Sequence, residues 1–336
     1  MATRISIIGI TGYTGLELLR MLNAHPEVSF AHVTSRQHEN TPIGEVYPHL
    51  AHMDIVVSNP SLDQIAEDSD IVFLCLPHKT AQDTVAALYG KVKIIDLSAD
   101  FRLDDVPTYE KYYAVAHNYP DLLEKAVYGL PEITGNDKIV DAELVANPGC
   151  FALLGQILTY PFKGKIEKAD FIGITGSSGA GKSATDGTHH PVRNHNLKSY
   201  NINKHRHIPE VCKSAGITED QLNFVPTSGP FTRGIFGQAF ITLQDGVDAQ
   251  NALDSAMQVY KGTKFIRYQK QVALANIVGS NFADVSFEIG NNGNIVAQGV
   301  IDNLVKGAAG CAVQNMNIMC GYDETLGLSN LSPVYP

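Results

Sequence analysis

The chain has 336 residues, a length that favours two domains, and its 44% hydrophobic and 18% charged residues are typical of a folded globular protein. The formal net charge is −10, and no run of Lys and Arg is long enough to follow a phosphate backbone, which argues against a nucleic-acid partner. The first residues lack the pattern of a signal peptide, and no segment approaches the roughly 20 apolar residues that span a bilayer. We therefore expect a cytoplasmic protein that has no membrane partner.

A glycine-rich turn near the N-terminus lies between a β-branched run at residues 4–8 and an apolar helical stretch at residues 16–22. Its pattern is GxxGxxG, which allows close approach of the backbone to a pyrophosphate and presents N–H groups at a helix N-terminus. The pattern alone also fits a simple strand-to-helix turn. The predicted dinucleotide-binding residues are Gly9, Thr11, Gly12, Tyr13, Thr14 and Gly15.

The second predicted strand, residues 28–34, runs into Ser35 and Arg36. A fold that binds NAD carries Asp or Glu here for the ribose 2′-hydroxyl, whereas a hydroxyl and a guanidinium suit a 2′-phosphate. These two residues therefore predict NADP as the cofactor, with a solvated surface arginine as the alternative.

Two further strands are predicted at residues 71–76 and 92–97, with a helix at 80–89 between them. This βαβ rhythm indicates a parallel sheet. Ligands bind at the carboxyl edge of such sheets, and Pro77 falls at that edge, so we include it among the cofactor-binding residues.

The five cysteines are an odd number without a CxxC pair, which argues against a disulfide framework and a structural zinc site. They are Cys75, Cys150, Cys212, Cys311 and Cys320. The histidine pairs His189-His190 and His205/His207 lack a companion carboxylate at ligand spacing, so we expect no metal. Reduced thiols are the expectation.

Cys150 follows an extended stretch at residues 144–146 and opens an apolar segment at 151–160 that suits a helix. Aligned N–H dipoles at a helix start favour the thiolate, which is the nucleophilic form of cysteine. A buried packing role fits the same position equally well.

His205, Arg206 and His207 offer Cys150 a partner, since a histidine near a thiolate can stabilise it and carry a proton. In an extended segment alternate residues share a face, so both histidines are expected to point into one pocket near the surface.

Residues 176–183 match the P-loop pattern GxxxxGKS and follow a predicted strand at 171–175. A true P-loop opens a helix, but residues 184–191 contain a glycine and a proline and have no apolar period. The sequence therefore favours a loop whose N–H groups bind an oxyanion or a phosphate over a nucleoside triphosphatase.

Seven motifs follow one another along nearly the whole chain: GITGYTG at 9–15, DLSADFR at 96–102, YGLPE at 128–132, NPGC at 147–150, SGAG at 178–181, HRH at 205–207 and KGAAG with AVQNMN at 306–317. Together they resemble the N-acetyl-γ-glutamyl-phosphate reductases of arginine biosynthesis, relatives of aspartate-semialdehyde dehydrogenase. The resemblance implies NADPH-dependent reduction of a small-molecule acyl phosphate to N-acetylglutamate 5-semialdehyde, through a thioester on Cys150. It implies His207 as the acid and base, a role that His205 can exchange with it. The other implied site residues are His205, Arg206, Arg102, Ser178 and Gly179 for the substrate and Asn315 near the nicotinamide.

The resemblance also implies the fold, an α/β protein that assembles as a homodimer or homotetramer. A Rossmann-type parallel-sheet NADP-binding domain is expected at 1–148 and 311–336, with residues 308–320 forming a helix that returns to it. An α+β catalytic and dimerisation domain with a mainly antiparallel sheet is expected at 149–310. Strand-like segments that suit this sheet lie at 235–242, 272–278, 284–289 and 295–301.

The acyl group stays open, because the chain departs from the family at Phe151, at Cys311 and at His189-His190-Pro191. The last of these is similar to lysine-pathway enzymes that act on carrier-protein-bound substrates, so acetyl, succinyl and carrier-bound groups are all candidates. Such a carrier is strongly acidic, and a net charge of −10 argues against its docking unless the chain holds a basic patch. A P-loop NTPase and a non-enzymatic NADPH-sensing regulator are the alternatives from other classes.

Overall fold

A computed structural model describes residues 2–329. Contacts divide the chain into a first unit, Met1–Asn147 with Ala312–Gly327, and a second unit, which contains Pro148–Cys311. The functional division predicted between 1–148 with 311–336 and 149–310 stays a prediction, and residues 330–336 lie outside the described residues. No helix within residues 2–329 is long and apolar enough to cross a membrane.

The first unit is built on a parallel sheet, as its alternation of strands and helices predicts. Its strands are β1 (Thr3–Ile8), β2 (Val28–Thr34), β3 (Thr41–Pro42), β4 (Val56–Val57), β5 (Ile71–Leu74), β6 (Lys93–Asp96), β7 (Val127–Tyr128) and β8 (Leu144–Ala146). Six of them pair in the order β2-β1-β5-β6-β8-β7, all parallel, while β3 and β4 form a separate antiparallel pair. The order reverses at β1, between β2 and β5, and such a reversal is where ligands bind in open α/β sheets.

Short helices connect these strands, and polar caps mark the starts of two of them. The helices are α1 (Tyr13–Asn23), α2 (Ile43–Val46), α3 (Leu62–Asp68), α4 (Gln82–Leu88), α5 (Val106–Tyr113), α6 (Pro120–Lys125), α7 (Pro131–Thr134) and α8 (Asn136–Ile139), with a 3₁₀ helix at Pro48–Leu50. The side chain of Ser61 accepts a hydrogen bond from the Gln64 N–H at the start of α3, and Asp105 does the same for Thr108 at the start of α5. These caps satisfy N–H groups that have no partner inside the helix.

The second unit is built on a mixed sheet. Its elements are α9 (Cys150–Thr159), β9 (Ile166–Thr175), α10 (His190–Arg193), β10 (Lys198–Ser199), α11 (Ile208–Ala215), β11 (Leu222–Ser228), β12 (Ile235–Leu243), α12 (Ala249–Val259), β13 (Ile266–Tyr268), β14 (Ala283–Ile289) and β15 (Ile295–Ile301). The strand order is β10-β11-β9-β12-β15-β14-β13; the pairs β11-β9 and β13-β14 are parallel and the other four are antiparallel. This is the mainly antiparallel sheet that was predicted.

Short turns and a last helix complete the chain. The 3₁₀ helices of the second unit lie at Tyr160–Phe162, Ser177–Ala180, Asp186–Thr188, Glu219–Gln221 and Leu274–Asn276, and a π-helix at Val305–Ala309 precedes α13 (Gly310–Met319). The predicted helix at 308–320 is therefore present as α13, which begins two residues later because the π-helix comes first.

Three glycines bring α9 close to the sheet. Gly173, Gly237 and Gly299 face one another across β9, β12 and β15. A Cβ atom at Gly237 would lie 2.7 Å from Leu154 Cδ2, one at Gly299 would lie 3.0 Å from Leu154 Cδ1, and one at Gly173 would overlap the ring of Phe151. The missing side chains form a groove that receives the first turns of α9, so the sheet fixes the position of the residue with which α9 begins.

The opposite face of this sheet leaves apolar side chains partly exposed. Since neighbours along a strand point to opposite faces, this face carries Ile172, Ile174, Phe236, Phe240 and Val296. Phe240 is 39% exposed and the other four are half-buried.

The predicted strand at 272–278 is wrong. The segment turns through the 3₁₀ helix Leu274–Asn276, and a Cβ at Gly234 would lie 2.5 Å from Leu274, which packs there. Its apolar residues Leu274 and Ile277 are three apart, a spacing that suits a 3₁₀ turn rather than a strand. The sheet instead uses β13 and β11; the latter contains Pro226, a residue that argues against a central strand.

A buried acidic cluster follows β6. Asp96 accepts hydrogen bonds from the Ser98 N–H (2.9 Å) and the Ser98 hydroxyl (2.7 Å), and Asp100 accepts from the N–H groups of Lys79 (2.7 Å) and Ala81 (2.9 Å). Burial raises the pKa of Asp96 to about 6, and the charge of Asp100 acts in the same direction. Since the raised pKa means that the folded protein holds this proton more tightly than the unfolded chain, the ionised carboxylate lowers stability as the pH rises from about 4 to about 6.

Replacing Asp96 with Asn removes this ionisation and keeps a group that can hydrogen-bond Ser98. We compare the free energy of unfolding of Asp96→Asn with that of the unsubstituted chain. We expect this difference to shift in favour of the variant by about 2 kcal/mol as the pH rises from 4.5 to 7. Urea unfolding of both proteins at the two pH values measures the difference. A gap that is independent of pH would contradict the assignment.

Candidate functional site

The glycine turn after β1 is held against the neighbouring strands by its backbone. The N–H groups of Gly9 and Ile10 both donate to the carbonyl of Thr34, at 3.3 and 3.1 Å. Gly9 has φ +95°, and a Cβ there would lie 2.7 Å from the Cys75 carbonyl oxygen. A Cβ at Gly15 would lie 2.7 Å from the Gly9 carbonyl oxygen. Glycine is therefore required at both positions because backbone closes on backbone.

The start of α1 is shaped to receive an anion. Gly12 caps α1 without a side-chain hydrogen bond, and the space that its Cβ would occupy has no atom within 4 Å. Tyr13 is exposed and Thr14 is half-buried at this helix start, while the Tyr47 hydroxyl donates to the Thr11 carbonyl (2.9 Å). A helix N-terminus open in this way fits the pyrophosphate of a dinucleotide.

Ser35, Arg36 and Pro77 lie at the same sheet edge. Ser35 is buried and its N–H donates to the Ser58 carbonyl (3.2 Å), whereas Arg36 is exposed. Both follow Thr34, whose carbonyl holds the glycine turn, so they lie directly beside that turn. Pro77 is exposed after β5, the strand that pairs with β1. Their contacts with a cofactor stay predictions.

Two side chains of the first unit that were predicted to bind ligands form hydrogen bonds within the protein. Asn315 is fully buried and donates to the Gly129 carbonyl (2.8 Å) and to Asn147 Oδ1 (3.3 Å). Arg102 is also buried and donates to the carbonyls of Asn147 (2.7 Å) and Leu97 (3.0 Å). Both side chains therefore fix Asn147, the first residue of the NPGC motif, while their roles toward nicotinamide and substrate stay predictions.

Cys150 is the first residue of α9, behind an extended Gly149 that caps the helix without a side-chain hydrogen bond. The thiol residue is partly exposed, whereas residues 151–159 of α9 are all buried. The N-terminus of a helix favours a negative charge. The packing of α9 thus leaves the Cys150 side chain at the open end of the helix.

His207 lies against this helix start. A Cβ at Gly149 would overlap His207 Nε2 and lie 2.6 Å from Cε1. Glu210, three residues later on α11, accepts the Gly149 N–H through Oε2 at 3.2 Å. Both side chains are buried, so the first turn of α11 holds the residue that precedes Cys150. We did not predict Glu210 from the sequence, although its place three residues after His207 puts it on the same helix face.

The extended conformation predicted for residues 205–207 is wrong. The chain turns here, because the His207 N–H donates back to His205 Nδ1 at 3.2 Å. The two rings still meet, with centroids 4.6 Å apart, and His205 packs on Phe151 at 5.6 Å. Arg206 is exposed while both histidines are buried. Burial, helped by the charge of Arg206, lowers the pKa of His205 to about 4, so this imidazole is neutral near pH 7.

The SGAG loop forms a single 3₁₀ turn rather than the start of a helix. Ser178 is buried, and its hydroxyl pairs with Asn303, whose Nδ2 donates to it at 3.0 Å. A Cβ at Gly179 would lie 3.0 Å from Thr175 Oγ1. The next helical turns are Asp186–Thr188 and the short α10, so the P-loop alternative is contradicted.

The π-helix after β15 is a part of the site that we did not predict. A Cβ at Gly307 would lie 2.8 Å from Cys150 Cβ, so this glycine packs directly on Cys150. The Gly307 N–H donates to the Asp302 carbonyl (2.9 Å), and the buried Asp302 carboxylate accepts from Arg233 Nε (3.0 Å). The glycines of the KGAAG motif could have indicated this contact, since a glycine inside a helix often marks a place where the backbone packs closely on a neighbour.

Within residues 2–329, no three His, Cys, Asp or Glu side chains come together as a metal site would require. The side chains gathered around the start of α9 include the Cys150 thiol, the His207 imidazole and the Glu210 carboxyl group.

Two family models match the chain: semialdehyde dehydrogenase, NAD binding domain, over residues 4–142, and semialdehyde dehydrogenase, dimerisation domain, over residues 150–303. The chain belongs to the semialdehyde dehydrogenase family. It is 40% identical to an N-acetyl-gamma-glutamyl-phosphate reductase of Methanosphaera stadtmanae, over 99% of this chain and 98% of the relative. A second reductase of that name, from Methanopyrus kandleri, is 39% identical over 96% and 97%. The resemblance inferred from the seven motifs is confirmed.

A relative from Ignicoccus hospitalis has a provisional name that describes a phosphate reductase of LysW-L-2-aminoadipate and LysW-L-glutamate; it is 40% identical over the full length of both chains. Among solved structures, aspartate semialdehyde dehydrogenase with NADP from Candida albicans has a TM-score of 0.69 at 13% identity, covering 95% of this chain and 99% of that one. Aspartate semialdehyde dehydrogenase II complexed with ASA from Vibrio cholerae has a TM-score of 0.67 at 16% identity, covering 96% and 99%. These likenesses confirm the predicted fold class.

The environments of the five thiols predict selective alkylation of this semialdehyde dehydrogenase family member. Burial raises the pKa of Cys75, of Cys320 and of Cys212, the last to about 12, and Cys311 is fully buried. We expect iodoacetamide to modify Cys150 at least about tenfold faster than the others at pH 7.5. Peptide mass spectrometry over time measures this, with Cys150→Ser as the control, and equal labelling of Cys75 or Cys320 would contradict it.

Proposed function

We propose that the chain reduces N-acetyl-γ-glutamyl phosphate to N-acetylglutamate 5-semialdehyde, with NADPH as the reductant and release of phosphate, as a step of arginine biosynthesis. The observation that carries the proposal is Cys150 at the open start of α9, with the His207 ring against Gly149. A free carboxylate resists hydride addition, whereas an acyl phosphate has a good leaving group and can acylate a thiolate.

The reaction begins when the Cys150 thiolate attacks the acyl carbon. A C–S bond forms, the C–O bond to phosphate breaks and phosphate leaves, which gives a thioester. The dinucleotide, when bound, supplies the hydride. The carbonyl oxygen of the reduced thioester takes a proton and loses it as the C–S bond breaks, which frees the semialdehyde and restores the thiolate. His207 moves this proton, because His205 is neutral and packed against Phe151.

The remaining roles follow the chemistry of the side chains. Arg206, exposed beside the buried histidines, attracts the anionic substrate, and His205 shapes its pocket. Ser178 and Gly179 shape the turn that receives the acyl phosphate, although their own N–H groups, which we expected to bind it, donate to the carbonyls of Thr232 (3.0 Å) and Gly176 (3.2 Å). Arg102 acts on the substrate through the backbone of Asn147, to which it donates.

The choice of NADPH over NADH rests on the sheet edge of the first unit. Ser35 and Arg36 follow β2, at the position where an NAD-binding fold has a carboxylate that would repel the 2′-phosphate of NADPH. Arg36 is exposed, so its guanidinium is accessible to that phosphate. Gly9 and Gly15 close the turn tightly and Gly12 leaves open space for the pyrophosphate, while Asn315 lies beside Gly129, on the nicotinamide side of this edge in our proposal.

The open face of the second unit's sheet supports assembly into a homodimer, or a homotetramer built from dimers. Ile172, Ile174, Phe236, Phe240 and Val296 lie partly exposed there around Gln238 and Gln298, and a mixture of exposed apolar and polar side chains is usual at protein interfaces. The five free cysteines suit the reducing cytoplasm, where we place the protein.

The reaction is tested in reverse, with N-acetylglutamate 5-semialdehyde, phosphate and NADP, by the absorbance of the reduced nicotinamide. Removal of the nucleophile in Cys150→Ser should abolish turnover and leave NADPH binding unchanged. Cys320→Ser, which also removes a partly exposed thiol, should keep full activity. Substantial turnover by Cys150→Ser would exclude the thioester, and a preference for NAD over NADP would exclude the cofactor assignment.

Substitutions of the two histidines should have different effects on turnover. His207→Gln is expected to lower kcat by about 10²- to 10⁴-fold, since it removes the proton carrier beside Gly149. His205→Gln should have a smaller effect and leave the acid side of the pH–rate profile in place, because the pKa of His205, about 4, lies below that range. Loss of the acid limb in His205→Gln alone would reverse the assignment.

A further inference from the structure

The glycine turn after β1 contains a peptide that backbone hydrogen bonds do not hold. On one side of it the Ile10 N–H donates to the Thr34 carbonyl (3.1 Å), and on the other side the Gly12 carbonyl accepts from the Leu16 N–H (3.0 Å). Among residues 2–329, neither the Thr11 carbonyl nor the Gly12 N–H makes a hydrogen bond with another backbone group. The orientation of the Thr11–Gly12 peptide must therefore be set by a side chain.

Glycine at position 12 leaves the plane of this peptide free to turn. Gly12 has φ −80° and ψ 162°, and the space that its Cβ would occupy has no atom within 4 Å. A glycine rotates about both backbone dihedrals at little steric cost, so neither its own atoms nor its packing fixes the peptide that precedes it. A rotation of that peptide would turn the Gly12 N–H away from any anion bound at the start of α1.

Tyr47 supplies the missing contact, because its hydroxyl donates to the Thr11 carbonyl at 2.9 Å. The described peptide bonds are trans, so the Thr11 carbonyl and the Gly12 N–H point in opposite directions from one planar unit. The hydrogen bond from Tyr47 thus directs the Gly12 N–H to the side opposite the tyrosine. Within the part of the chain that the structure describes, this N–H has no acceptor and is available to a phosphate oxygen.

The segment that carries Tyr47 is itself fixed to the sheet. Residues 36–58, which we call the β3–β4 segment, lie between β2 and α3. The Tyr47 N–H donates to the Ile43 carbonyl (2.8 Å), which places the ring behind the short helix α2. At the end of the segment the Ser58 N–H donates to the Val33 carbonyl (2.9 Å) on β2, the strand whose last residue also holds the glycine turn. The hydroxyl and the turn are therefore built on the same strand.

We propose that Tyr47 is a positioning residue for the cofactor: its hydroxyl fixes the Thr11–Gly12 peptide so that the Gly12 N–H meets the pyrophosphate of the dinucleotide. This inference rests on the proposed function, since it concerns the cofactor of that reaction. The 2′-phosphate is assigned there to Ser35 and Arg36 and does not depend on this peptide. Tyr47 is thus expected to affect only ligands that contain the pyrophosphate.

The test compares NADP with 2′-AMP, which has the 2′-phosphate but no pyrophosphate. Tyr47→Phe removes the hydroxyl and keeps the ring. We expect this variant to raise the Kd of NADP about tenfold, because a hydrogen bond to a charged phosphate contributes only when its donor is aimed at it, and to leave the Kd of 2′-AMP unchanged. Isothermal titration calorimetry measures both values. In the reverse assay the KM for NADP should rise by a similar factor while kcat changes less than about twofold.

Tyr322→Phe is the matched control. It removes a tyrosine hydroxyl that shares a hydrogen bond with Thr3 Oγ1 (2.7 Å), at the opposite end of β1 from the glycine turn, and should leave both Kd values unchanged. An unchanged Kd of NADP in Tyr47→Phe would overturn the inference. So would an equal loss for NADP and 2′-AMP, which would mean that the hydroxyl supports the whole sheet edge, or an equal loss in the control.

These measurements also separate the inference from the proposed function. Binding is measured without the acyl substrate, so an absence of turnover with N-acetylglutamate 5-semialdehyde would count against the reaction and not against Tyr47. If the unsubstituted chain binds NAD and not NADP, the cofactor assignment fails, and Tyr47→Phe is then judged by the Kd of NAD, which has the same pyrophosphate, against that of adenosine, which has none. A chain that binds neither dinucleotide would overturn both.

Discussion

The start of α9 depends on one steric constraint, the absence of a side chain at Gly149. His207 occupies the space where a Cβ would be, and Glu210 accepts the N–H of the same glycine. His207 is the N-cap of α11 and Glu210 lies in its first turn, so a single short helix sets both the imidazole and the backbone from which Cys150 begins. Any larger residue at 149 would push the His207 ring away from the helix start at Cys150.

Glycines elsewhere in the second unit hold α9 in this position. The glycines of β9, β12 and β15 let α9 approach the sheet, which leaves its buried length no freedom to slide. Gly307 in the π-helix meets Cys150 itself, and the buried Asp302 holds that π-helix by accepting the N–H groups of Val305 and Gly307. Close packing at small residues is stiff, because no side chain can relax to absorb a displacement. The site is thus preorganised by backbone contact more than by polar side chains.

Much of this was predictable because it rests on local rules. The strands β2, β8 and β15 coincide with their predicted ranges, since β-branched runs bounded by turn residues are strong signals. The helix that begins at Cys150 was predicted from the apolar segment that follows this residue. Contacts between segments that are distant in sequence could not be predicted in this way. Gly307 lies far from Cys150 in sequence, and no local pattern indicates that Arg102 donates to the Asn147 carbonyl or Asn315 to the Asn147 side chain. The strand predicted at 272–278 is a 3₁₀ turn whose Leu274 packs on Gly234, and the segment predicted as extended at 205–207 turns where His205 accepts the N–H of His207; neither long-range packing nor a side-chain hydrogen bond of this kind can be read from residue type.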